Sequence, residues 1–108
     1  MLKGMPFAAY LEKYKIFEKT MQSMMGHLKN WYDDEPEDFR REMGADYRFV
    51  VETYQFKRKI AAIEKNYMYD SSLFCIAFSM DIYDEGSCAA IYTAIFDLSG
   101  NWIDDLMR

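Results

Sequence analysis

Histidine, cysteine, proline and glycine are all scarce in this chain: one, two, two and five residues respectively. Each shortage excludes something. A single histidine, His27, with two cysteines, Cys75 and Cys88, outside any C-x-x-C spacing makes no zinc site. No other histidine exists to activate a serine or cysteine, and nothing favours a dyad of His27 with either thiol. The glycines, at 4, 26, 44, 86 and 100, lie too far apart for a phosphate-cradling loop. Carboxylates cluster at Asp33, Asp34, Glu35, Glu37 and Asp38, and again at Asp81, Asp84 and Glu85, but neither cluster has the spacing of a calcium loop. Apolar runs fall short of membrane-spanning length, and Met1-Leu2-Lys3-Gly4-Met5-Pro6 carries no signal-peptide core. The expectation is a protein with no catalytic residues, metal or cofactor and no membrane association, and with reduced thiols in a cytoplasmic setting.

Apolar residues make up 51% of the chain and 18% is aromatic, which argues against disorder. A length of 108 residues suits a single domain spanning 1–108, with one core. The net charge of −5 is unevenly spread. Residues 69–108 hold seven acids against Arg108, for −6, whereas residues 1–32 sum to +3. The chain therefore lacks the clustered positive charge that direct nucleic-acid binding demands. Lys57-Arg58-Lys59 is the one basic run.

The strongest ordered signal is a stripe of Tyr10, Tyr14, Phe17, Met21, Met24, Leu28 and Trp31, spaced alternately by four and three. It predicts one long amphipathic helix from about Pro6 to Trp31–Tyr32, with Gly26 as the place for a kink. Pro36 starts a second helix that Gly44 ends, with acids in its first turn favoured by the helix dipole. Asp46 is a plausible N-cap for a third helical segment, in which Phe49, Phe56, Ile63 and Tyr67 recur at helical spacing. From Leu73 the period changes to two. Phe74, Ile76, Phe78, Met80 and Ile82 share a face, and Asp84-Glu85-Gly86-Ser87 turns the chain into a return strand from Cys88 to Leu98. After Ser99-Gly100-Asn101, residues Trp102 to Leu106 read as a short strand or a helical turn.

The fold expected is α+β, with N-terminal antiparallel helices packed on a C-terminal antiparallel sheet of two or three strands. A two-residue loop at Glu85-Gly86 pairs Tyr83 with Cys88, Met80 with Ile91 and Ile76 with Ile95. That register turns Tyr83, Tyr92 and Phe96 to a second, non-core face. The expected function is protein–protein binding of inhibitor, immunity or anti-defence type. The partner would be a protein with a basic surface, the anchors Tyr83, Tyr92 and Phe96, and the steering acids Asp84 and Glu85. The alternatives are a structural homo-oligomer, such as a homodimer, and a small-ligand sensor with an apolar pocket.

Overall fold

The computed structural model describes residues 5–65 and 74–108. Four helices come first: α1 (Phe7–Lys13), α2 (Ile16–Asp34), α3 (Pro36–Met43) and α4 (Tyr47–Thr53). Four strands follow: β1 (Gln55–Glu64), β2 (Cys75–Asp84), β3 (Ser87–Phe96) and β4 (Trp102–Met107). They form one antiparallel sheet in sequence order, each strand beside the next. The expected α+β order holds, with a larger sheet than the two or three strands expected.

The long first helix is broken, although not at Gly26. The chain turns at Tyr14–Lys15, where Lys15 takes a left-handed φ of 53°, and α2 then runs unbroken through Gly26. The stripe spacing continues through a bend of one residue, so periodicity alone does not reveal it. Met24 and Leu28 are fully buried, and Phe17 and Met21 pack partly buried against the core. Ile16 and Thr20, outside the stripe, are also fully buried, because the turn resets the helix face. Thr20 meets its polar requirement by donating from Oγ1 to the Ile16 carbonyl, 2.7 Å away.

The third helical segment is much shorter than expected. It ends at Thr53, and residues 55–64 are strand β1, not helix. Phe56, Arg58, Ala61 and Ile63 pair with Ile82, Met80, Phe78 and Ile76, which puts them on the helix-facing side. The pairing skips Lys59, a β-bulge that shifts the alternation by one. That shift is why an alternating strand imitates a helical period in sequence. Phe49, expected in the core stripe, is 54% exposed. Tyr67 and Leu73 lie outside the described residues.

The β2–β3 turn forms as expected. Glu85 and Gly86 both take positive φ, 48° and 89°, the mirror-image turn that matches strand twist. Tyr83 pairs with Cys88 as expected, but the register then slips by one. Ala89 is bulged, so Met80 faces Tyr92 rather than Ile91, and Ile76 faces Phe96 rather than Ile95. A one-residue slip exchanges the two faces of a strand. Ala90, Tyr92, Ala94 and Phe96 therefore point at the helices. A third bulge, at Ile103, separates the pairs Ile95–Asp104 and Phe96–Trp102. Each ladder thus carries one bulge, and bulges bend and twist the strands they interrupt.

The core lies between this face of the sheet and the helices. Leu28, Phe39, Met80, Ile82, Tyr92 and Phe96 are completely buried in it. Burying a side chain of this size contributes about 1.5–3 kcal/mol. One polar tie joins α2 to the β3–β4 loop and another joins the ends of α3 and α4. Lys19 Nζ donates to the Gly100 carbonyl at 2.7 Å, and Tyr54 donates from its hydroxyl to the Met43 carbonyl at 2.6 Å.

Candidate functional site

The bulge at Ala89 has a chemical consequence. It brings the Tyr92 phenol to the inner face, where α2 crosses the sheet. Ser23 and His27 sit four residues apart on α2 and therefore share a helix face. Asp105, on β4, pairs with Ala94 and so projects to the same side. The four side chains meet. Tyr92 donates from its hydroxyl to Asp105 Oδ2 at 2.7 Å. His27 Nδ1 lies 3.2 Å from that same oxygen. Ser23 Oγ is hydrogen-bonded to the Tyr92 hydroxyl and 3.5 Å from Asp105 Oδ2.

A carboxylate can only accept, so in the neutral imidazole the Nδ1 proton of His27 is directed at Asp105 and Nε2 is left as the acceptor. Nε2 has no hydrogen-bond partner among the described residues. The ring is further held by edge contact with Tyr92, centroid to centroid 5.7 Å. Burial, and then the Asp105 charge, push the Tyr92 phenol well above its ordinary range, so it stays a donor. The arrangement fixes one tautomer of one histidine, with the Nε2 lone pair uncommitted.

His27 and Asp105 border a cavity of about 690 Å³ between α2, the end of α3 and the β3–β4 edge. Gly26 helps to make it. A Cβ placed there would meet nothing within 4 Å, so the missing side chain leaves open space beside His27. Trp31, Met43, Trp102 and Met107 supply apolar wall. Trp31 is held by its Nε1, which donates to Asp38 at 2.9 Å. Trp102, half exposed, stands where solvent reaches the cavity. Asp34, Glu42 and Arg108 bring charge to the wall. This combination of an apolar wall with a few convergent polar groups is that of ligand pockets generally.

Comparison with known protein families, curated proteins and solved structures finds no match. The functional reading rests on the geometry.

Three of the residues expected to bind a partner gather at the β2–β3 turn. Asp84 and Glu85 are exposed and Tyr83 is half-buried, with Lys57 Nζ 5.1 Å from the centre of its ring. Tyr92 and Phe96 are not with them. Both are fully buried against the helices, because the bulge reverses the expected face, so neither offers a partner an anchor. Cys75 and Cys88 form no disulfide and lie on the sheet face turned away from α2, so neither meets His27. Among the described residues, no three His, Cys, Asp or Glu side chains are grouped to hold a metal. No helix of the described residues is long and apolar enough to cross a membrane.

The cluster of Ser23, His27, Tyr92 and Asp105 escapes sequence reasoning because its two helix members lie 69 to 82 positions from the strand residues they meet, and Tyr92 and Asp105 are themselves 13 apart. One local sign was available: His27 next to Gly26 on an otherwise continuous helix, an unfilled position beside an imidazole.

Proposed function

We propose that this protein binds a small organic ligand in the cavity between α2 and the β3–β4 edge. The observation that carries the reading is His27. Its Nδ1 is committed to Asp105, its Nε2 has no partner among the described residues, and it borders a cavity of drug-like size. A fixed acceptor on an apolar wall is what orients a ligand and gives it specificity. The reading is of binding without catalysis. Ser23 is bonded to Tyr92, not to His27, so the nucleophile–base order of a hydrolytic triad is missing. Two cysteines that form no disulfide suit a reducing compartment, which supports a cytoplasmic protein.

Both tryptophans of the chain border the cavity, so intrinsic fluorescence reports directly on it. A library of small fragments titrated against the protein should give hits that change this fluorescence. The variant Gly26→Leu places a side chain in the open space without costing the helix, and should abolish those hits while keeping the melting temperature. Hits that survive Gly26→Leu unchanged refute the cavity as the site.

A second reading, docking of a basic protein surface, is supported by the exposed acids Asp84 and Glu85 at the hairpin tip beside Tyr83. Reversing both acids to Lys should slow association with such a partner. Unchanged association would remove this surface from consideration.

A further inference from the structure

The wall of the cavity restricts what can occupy it. Hydrogen bonding comes first. The Nδ1 proton of His27 is directed at Asp105, so the neutral imidazole offers the cavity a lone pair. An occupant must therefore donate to it. Charge comes second. Asp34, Glu42 and Asp105 border the cavity against Arg108 alone, three carboxylates to one guanidinium. The Asp34 carboxylate has no ion pair among the described residues, and Glu42 meets only the exposed Arg41, at 3.6 Å. A carboxylate or phosphate ligand would add a negative charge to this set and present no donor to His27, whereas a cation complements it. The apolar wall comes third. It includes the residues Trp31, Trp102, Met43 and Met107. Indole is the aromatic surface most favourable to a cation, and methionine adapts to an irregular apolar body.

We propose that the cavity takes a protonated primary or secondary amine with a compact apolar body, its N–H donating to His27 Nε2 and its charge balanced by Asp34 and Glu42. This rests on the cavity being a ligand site, and it names the class of ligand. A neutral donor satisfies the histidine and the apolar wall but not the charge. An anion satisfies neither the histidine nor the charge. A quaternary ammonium satisfies the charge and the indoles but has no N–H for His27.

The test is isothermal titration of the full chain at neutral pH with two sets of probes. One set is 2-phenylethylamine, 2-phenylethanol, phenylacetate and the trimethylammonium form of the amine. The other is cyclohexylmethylamine with its matched alcohol and carboxylate. The amines should bind about tenfold more tightly than the alcohols, and the carboxylates should give no heat. Asp34→Asn, at an exposed position, should weaken the amines and leave the alcohols unchanged. His27→Ala should weaken the primary amine and leave the trimethylammonium probe unchanged. Alcohols or carboxylates binding as tightly as the amines overturn the amine inference and leave the cavity standing as a ligand site. Amine affinity indifferent to both Asp34→Asn and His27→Ala overturns it as well. Heat from no probe, together with fluorescence hits that ignore Gly26→Leu, overturns the cavity reading itself.

Discussion

Replacing Tyr92 by Phe removes one oxygen from the centre of the polar cluster and leaves the ring in place. The lost group donates to Asp105 at 2.7 Å, and a hydrogen bond to a charged group is worth about 1.5–3 kcal/mol. Part of this is recovered, because the Ser23 hydroxyl, already 3.5 Å from Asp105 Oδ2, is freed to donate there. No cavity forms beyond the missing hydroxyl. The expected loss near pH 7 is therefore about 1–2 kcal/mol, read from the shift of a urea midpoint. The pH dependence sharpens the test. In the unfolded chain the phenol ionises near pH 10, whereas in the fold it is held above that, first by burial and then by Asp105. A raised folded value means that stability is complete below about pH 10 and is lost as pH rises beyond it, by up to about 1.4 kcal/mol per pH unit. Tyr92→Phe lacks this titration. Tyr10 and Tyr54, also raised by burial, act equally in both proteins. The stability curves of wild type and variant should thus converge around pH 11. Coincident midpoints at pH 7, or curves that stay parallel from pH 9 to 11, would refute the buried phenol–carboxylate bond.

Three other outcomes follow from the packing. Leu28→Ala, at a fully buried position, should cost about 2–5 kcal/mol in a denaturant titration, whereas Phe49→Ala, at a 54% exposed one, should cost less than about 0.5 kcal/mol. Equal costs would mean that the helix face is misassigned. Gly100→Ala should lower the melting temperature further than Gly86→Ala. Both positions have positive φ, but a Cβ at Gly100 would sit 2.8 Å from Tyr14 Cβ, whereas at Gly86 it meets open space. A reversed order would place Tyr14 elsewhere. In thiol labelling of the native protein, exposed Cys88 should react promptly and buried Cys75 only after denaturation. Two equally fast thiols would show that Cys75 is not covered.

The parts of the fold legible in the sequence are those written in local chemistry. Pro36 and Gly44 bracket α3 as expected, and Asp84-Glu85-Gly86-Ser87 makes the expected turn. The departures share one physical cause, a single residue that alters phase. Lys15 breaks the first helix without disturbing the stripe. Lys59 gives β1 a helical appearance. Ala89 reverses Tyr92 and Phe96 between faces. Each is a backbone irregularity selected by packing across the fold, and nothing in the neighbouring side chains announces it. The candidate site inherits this blindness. Without the slip at Ala89, the Tyr92 phenol would project away from α2, and Asp105 would lose its closest hydrogen bond. Tyr83, Asp84 and Glu85 were legible as a surface group because the turn that exposes them is local.

The pairing of His27 with Asp105 ties the middle of α2 to an edge strand 78 residues later. Among the described residues β4 has β3 on one side and no strand on the other, so its ladder is the natural place for opening to begin. The cavity wall is completed by that same strand through Trp102, Asp105 and Met107. Occupancy and edge docking are therefore one equilibrium: whatever fills the cavity clamps the strand, and whatever peels the strand empties the cavity. Amide exchange along β4 would slow on ligand addition, while the far edge at β1 kept its own rate. An unpaired strand edge invites intermolecular pairing, so a bound ligand would also guard this protein against self-association through β4.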